Sequence, residues 1–258
     1  MNFDTVKIEC VVNEEGRNKN IASAMDRGLP LCTQLPWHDR KIAICGTAPS
    51  LSRHLQELRD FDGEILAANG AHDYLIKNGI KPDYWLCVDP DKELANYARK
   101  PIKGVRYYVG SCCDPAVFDA LDGYNVTAVH VHEPGGPEPS IKGGTGVMTR
   151  APFLALKLGY KHVVIYGADA SFEEDKHVFG DDIAAGQMRA GRERVNIRVG
   201  DKTFLTEQHF ALQCAEFGAM AELFAEKGLK IEFRCGGLLQ HYIEQPIITL
   251  EELNGQYS

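Results

Sequence analysis

Short unbroken apolar runs alternate along this chain with longer stretches whose apolar residues recur every three or four positions. Apolar runs lie at Lys41–Cys45, Glu64–Ala68, Ile80–Val88, Arg106–Val109, Val126–His130, His162–Tyr166 and Lys230–Phe233. Runs of this kind, bounded by turn residues, are the mark of strands buried on both faces. Between them Leu51, Leu55 and Leu58 fall on one helical face, and helical patterns cover Ala71–Lys77, Pro115–Leu121, Val147–Leu158 and Glu207–Lys227. Alternation at this spacing predicts an α/β, Rossmann-like fold: a mainly parallel sheet with right-handed crossovers and helices on both faces. Val195–Thr206 alternates around Gly200-Asp201 and predicts a small β-hairpin.

The same pattern divides the chain. Residues 1–40 read as an accessory segment whose helix, Asn20–Arg27, ends at Gly28. Residues 41–246 form the Rossmann-like nucleotide-binding domain, and residues 247–258 a tail with a short helix over Ile247–Leu253. Within the domain, about residues 170–206 hold the hairpin and an irregular stretch before it. That stretch sets Glu173, Glu174, Asp175, Asp181 and Asp182 against Arg189, Arg192 and Arg194, and reads either as a lid or as a solvated loop. Ser50 or Ser52 is the expected cap of the first helix, stiffened by Pro49, and Pro152 predicts a helix that starts late or kinks.

Composition narrows the class. With 44% hydrophobic and 25% charged residues in 258, the chain reads as an ordinary globular protein. A formal net charge of −8 argues against a nucleic-acid partner held by bulk electrostatics. The polar start and the lack of a long apolar run predict no membrane partner and a cytoplasmic location. Eight cysteines without a Cys-x-x-Cys pair are expected to be reduced and structural. Nothing in these features sets the oligomeric state, and a homo-oligomer is compatible with all of them.

Candidate chemistry gathers where the predicted strands end. In an open parallel sheet, ligands collect beyond the carboxyl ends of the strands, near the point where strand order reverses. Gly46, Thr47, Ala48, Pro49 and Ser50 form a strand-to-helix turn whose free amides suit a phosphate or carboxylate; the alternative is a plain connection. Asn69, the glycine-rich turn Gly143, Gly144, Thr145 and Gly146, and Ser171 fall on the same rim as further nucleotide-binding candidates. Asp89 and Asp91 flank Pro90 and suit Mg2+, which takes one or two carboxylates plus phosphate oxygens; the alternative for them is helix capping. Asp169 can orient a ribose or an acceptor hydroxyl, or complete the magnesium site. His177, in the irregular stretch, titrates in the range useful for proton transfer, so Asp89, Asp169 and His177 are the catalytic candidates. The turn at Gly46 lacks the Gly-Lys-Ser/Thr end of a P-loop and the three spaced glycines of a dinucleotide fingerprint.

Three stretches carry a resemblance. They are Gly46-Thr-Ala-Pro-Ser-Leu51, the run Lys81-Pro-Asp-Tyr84 leading to Asp89-Pro90, and the glycine-rich turn, helix, strand and Gly167-Ala-Asp169. In this order they resemble the 6-hydroxymethylpterin diphosphokinase-like family, which includes motility-associated glycosylation factors, and the first turn is similar to one in bacterial sialyltransferases. Arg27-Gly28-Leu29-Pro30 resembles the segment that precedes that turn in the family. Ala48 departs from the pattern, standing where the family usually has a second glycine. The resemblance implies a transferase that moves a phosphate-containing group from a nucleotide to a small-molecule acceptor with Mg2+. Two alternatives stay open: a nucleotide-sugar glycosyltransferase with a glycan acceptor, in which His177 or Asp169 deprotonates the acceptor, and a non-catalytic nucleotide-binding protein.

Overall fold

The computed structural model describes residues 12–132, 136–173 and 193–244. Parallel strands run in the order β10-β7-β1-β2-β3-β4-β5-β6, where β1 is His38–Cys45, β2 Glu64–Ala68, β3 Tyr84–Cys87 and β4 Arg106–Gly110. The others are β5 Asn125–Val131, β6 Ser140–Ile141, β7 Tyr160–Tyr166 and β10 Lys230–Arg234. A separate antiparallel hairpin, β8 (Arg194–Val199) with β9 (Lys202–Glu207), matches the alternation around Gly200. The fold is α/β and Rossmann-like, as the periodicity predicts.

Strand alternation feeds two cores. In β1 the side chains of Ile42 and Ile44 enter one cluster and those of Ala43 and Cys45 the other, because successive residues of a strand point to opposite faces. The first face is covered by helices α5 (Val147–Lys157), α6 (Gln208–Glu226) and α7 (Gly237–Glu244), through Leu154, Phe217, Phe224 and Leu239. The second is covered by a 3-10 segment, Pro49–His54, that runs into α2 (Leu55–Arg59), and by α3 (Ala71–Lys77) and α4 (Pro115–Ala120). Each fully buried Leu, Ile or Phe contributes about 1.5–3 kcal/mol to holding these layers together.

Right-handed crossovers explain the order. From β1 to β5 the chain steps one way with its helices on one face; from β6 it returns on the other face, through α5, to the far side of β1. The switch point is therefore between β1 and β7. The helix α1 (Glu14–Asp26) is longer than expected, begins at an Asn13 cap and ends before Gly28 at φ 62°. It packs on the body through Asn20, whose amide donates to the Cys112 carbonyl at 2.9 Å, and through Ala24.

Three local expectations are corrected. Helix α5 runs unbroken through Pro152; the proline sits in its second turn, so the bond it forfeits is only the one to the Met148 carbonyl. Neither serine caps the first helix: Ala48 is the N-cap residue, Ser50 points to Asp169 and Ser52 donates to the Pro49 carbonyl at 2.8 Å. Helix α7 closes the domain where no helix was expected, while the helix expected over Ile247–Leu253 lies outside the described residues.

Candidate functional site

The turns after β1 and β7 touch backbone to backbone. A Cβ on Gly46 would fall 2.4 Å from the Gly167 carbonyl oxygen, and one on Gly167 2.7 Å from that of Gly46, so neither position admits a side chain. The Gly46 amide donates to Tyr166 at 2.8 Å and the Ala48 amide to Gly167 at 3.0 Å. The Ser50 amide, at the start of the 3-10 segment, donates to Asp169 Oδ2 at 3.0 Å, and the Ser50 hydroxyl donates to Asp169 Oδ1. Asp169 Oδ1 also accepts the Gly236 amide at 2.8 Å. The sequence offered this helix start to a ligand anion; in the structure a carboxylate of the chain itself sits there. Thr47 and Pro49 are the partly buried residues of the turn and make none of these bonds.

The glycine-rich turn meets the same crevice. Met148, at the start of α5, comes so near Gly46 that a Cβ there would lie 3.0 Å from its sulfur. Gly146 caps α5, with the Thr149 hydroxyl accepting its amide at 3.2 Å. Here again a carboxylate takes the exposed amide: Glu216 of α6 accepts from the Thr145 amide at 3.0 and 3.1 Å, and from its hydroxyl at 3.2 Å. Gly144 and Gly146 leave room for Glu216 and Gln213, whose side chains a Cβ at these positions would strike at 2.0 and 2.6 Å. Gly143 closes the turn at φ 134°. Gln213 and Glu216 lie three residues apart, on one side of their helix.

The remaining rim residues follow strand by strand. Asn69 ends β2 at φ 46°, a left-handed backbone uncommon for a residue other than glycine, and its Oδ1 is buried without a hydrogen-bond partner. Its carbonyl accepts from the Trp85 indole at 2.8 Å. Ala170, beyond β7, is also left-handed at φ 52°. Ser171 is buried and its hydroxyl accepts the Leu238 amide at 3.1 Å, which ties α7 to the β7 turn. Asp89 and Asp91 follow β3, two strands and about 10 Å from β1; Asp91 Oδ1 accepts the Glu93 amide at 3.0 Å and caps the next 3-10 segment. Among the described residues no three His, Cys, Asp or Glu side chains gather as a metal-binding group. Farther along the rim the buried Ser111 hydroxyl meets His130 Nδ1 at 2.7 Å, and burial lowers the His130 pKa.

The structure joins Ser50, Asp169 and Ser171 with the Gly46 turn directly, brings the Gly143–Gly146 turn to Gly46 only through Met148 of the helix it starts, and sets Asn69, Asp89 and Asp91 on neighbouring strand ends. His177, Arg189 and Arg192 lie outside the described residues. Arg194 stands over the Phe172 ring at 4.2 Å. Glu216, Gln213, Arg53 and Gly236 were not singled out by sequence, because each meets the rim only through a contact distant in the chain. Beneath the turns, burial raises the thiol pKa values of Cys45, Cys214 and Cys235, the last to about 12, so these groups are protonated packing residues. None of the seven described cysteines forms a disulfide with another, and no described helix is long and apolar enough to cross a membrane.

Comparison with known proteins agrees with this architecture. A solved structure described as the MAf glycosyltransferase from Magnetospirillum magneticum AMB-1 superposes with a TM-score of 0.67 at 14% identity. The match covers 90% of this chain and 38% of that one, so the present chain spans well under half of that protein, and the likeness is one of fold. Comparison with curated proteins gives no match. A family model described as 6-hydroxymethylpterin diphosphokinase MptE-like matches residues 19–175, more than half of the chain and the part that holds β1 to β7 with both turns of the crevice. The chain belongs to the 6-hydroxymethylpterin diphosphokinase MptE-like family.

Proposed function

We propose that this protein is a nucleotide-dependent transferase whose donor lies across the carboxyl ends of β7, β1 and β2. The observation that carries this reading is Asn69: a strained left-handed residue, with a buried and unpartnered side-chain amide oxygen, one strand from the switch point. Strain and an unmet acceptor persist where a ligand repays them. Asn69 Oδ1 accepts from a base or a ribose hydroxyl, and the Gly46–Ser50 and Gly143–Gly146 turns wall the crevice. Family membership supports movement of a phosphate-containing group from a nucleotide to a small acceptor.

Mg2+ belongs to this reading as a proposal. Asp89, with the second oxygen of Asp91, would hold it, a donor set that suits an ion which keeps several waters and shares phosphate oxygens. When bound it would neutralise charge on the transferring group. The chain's own part is alignment: rigid turns fix the donor while the acceptor hydroxyl approaches in line.

A second reading, transfer of a sugar from a nucleotide sugar, is favoured by the fold shared with the MAf glycosyltransferase. Thermal shift with ATP, CTP, CMP and UDP-sugars, each with and without Mg2+, separates the two. Magnesium-dependent stabilisation by ATP, abolished in Asp89→Asn, supports the first. Metal-independent stabilisation by CMP or a UDP-sugar supports the second. Silence with every nucleotide overturns both.

A further inference from the structure

We propose that Arg53 is the anion-binding side chain of the crevice, and that the Glu173 carboxylate holds its place until the phosphate group of a nucleotide displaces it. The proposal deepens the nucleotide reading above and rests on it. Its starting point is a problem that the structure poses. The amides of Gly46, Ala48 and Ser50 are spent on Tyr166, Gly167 and Asp169, and that of Thr145 on Glu216. Two carboxylates therefore border the crevice, and a phosphate entering it needs a cation from a side chain.

Arg53 is placed to supply one. It lies on the 3-10 segment three residues after Ser50, and its guanidinium reaches back over Gly236. A Cβ on Gly236 would lie 2.7 Å from Arg53 Nη2, 3.1 Å from Ser50 Cβ and 3.4 Å from Asp169 Oδ1. The missing side chain is what lets the guanidinium rest on the backbone beside the Ser50–Asp169 pair. Gly236 in turn is fixed there by its amide bond to Asp169 at 2.8 Å. The seat is thus built from three separate segments.

An anion already occupies it. Arg53 Nη1 donates to both oxygens of Glu173 at 3.2 and 3.3 Å, with the two side chains 52% and 54% exposed. An exposed pair at these distances contributes little and exchanges readily. One nitrogen serves both carboxylate oxygens here, whereas phosphate carries more charge and accepts from the two-nitrogen fork of a guanidinium, so it is the stronger occupant. Glu173 lies two residues beyond Ser171, which places the exchange at the mouth of the β7 side of the crevice.

Calorimetric titration of the full chain tests this, using the nucleotide that gives the largest thermal shift, with the corresponding nucleoside as the phosphate-free control. Arg53→Gln is expected to weaken nucleotide binding at least tenfold and to leave nucleoside binding and the ligand-free melting temperature unchanged. Arg53→Lys falls between, because an ammonium lacks the fork. Glu173→Gln is expected to tighten nucleotide binding several-fold by removing the competitor. Equal nucleotide affinity in wild type and Arg53→Gln overturns the proposal and leaves the nucleotide reading standing. Failure of the wild type to bind any nucleotide removes both.

Discussion

Asp169 grips Ser50 from two sides: one carboxylate oxygen accepts the Ser50 amide at 3.0 Å and the other accepts its hydroxyl, across 119 residues of sequence. Both residues are buried, Ser50 fully and Asp169 to 3% exposure, and the same carboxylate holds the Gly236 amide. Asp169→Asn keeps the shape, but its amide nitrogen cannot accept one set of these bonds. It should cost about 1–3 kcal/mol, the penalty of leaving a buried donor unmet. Chemical denaturation of the two proteins measures it.

Gly46→Ala places a methyl against the Gly167 carbonyl, which is backbone and cannot swing aside. Overpacking of this kind costs about 1–3 kcal/mol or more. Gly144→Ala meets the end of the Glu216 side chain instead, which can rotate away. The first variant is expected to melt well below the second; equal melting temperatures would refute the backbone contact.

Asn69→Gly separates stability from binding. Glycine adopts the left-handed backbone freely, so the variant is expected to be as stable as wild type or up to about 1 kcal/mol more so, despite the added freedom of its unfolded chain. It also removes the unpartnered Oδ1. Nucleotide-induced thermal stabilisation should vanish while the ligand-free melt holds.

Two groups set opposite ends of the acid response. Hydrogen bonding to Lys230 and His162 holds the Glu232 pKa at about 2, below its ordinary 4.5. A depressed carboxylate stabilises the fold above the unfolded value and loses that contribution between about pH 4.5 and 2. Glu232 is partly buried but Lys230 is exposed to screening water, so the contribution is discounted to about 1 kcal/mol. Glu232→Gln should flatten stability across that window.

His130 acts at higher pH. Burial lowers its pKa below 6.5, so the folded chain binds fewer protons there than the unfolded one, and stability rises with pH through that value. His130→Gln is expected to reduce the loss seen on acidification from pH 7 to 5. An unchanged profile would show that His130 charges equally in both states.

Much of the fold was legible because its signals are local. The strand, turn and helix at Lys41–Leu58, the Gly79 and Gly228 helix ends and the Gly200 hairpin each follow from a few neighbouring residues. The site was legible only as a row of turns. That Asp169 would close on Ser50, that Glu216 would reach Thr145, and that Arg53 would lie over Gly236 are relations across 119, 71 and more residues. Glu216 sits mid-helix among alternating polar and apolar residues, where an acidic side chain ordinarily means solvent. Pro152 misled for the opposite reason: its local rule holds, yet packing of α5 against the sheet outweighs the single bond it loses.

The central position of β1 also governs how the chain must be made. Its partner on one side, β2, follows within about twenty residues, but the partner on the other, β7, ends only at Tyr166. While the polypeptide emerges from a ribosome, that second edge of β1 stays open, an apolar row of unpaired backbone inviting a stranger. A nascent chain stopped before residue 160 should be a strong client for chaperones. One extended past residue 166 gains the strand that closes the edge.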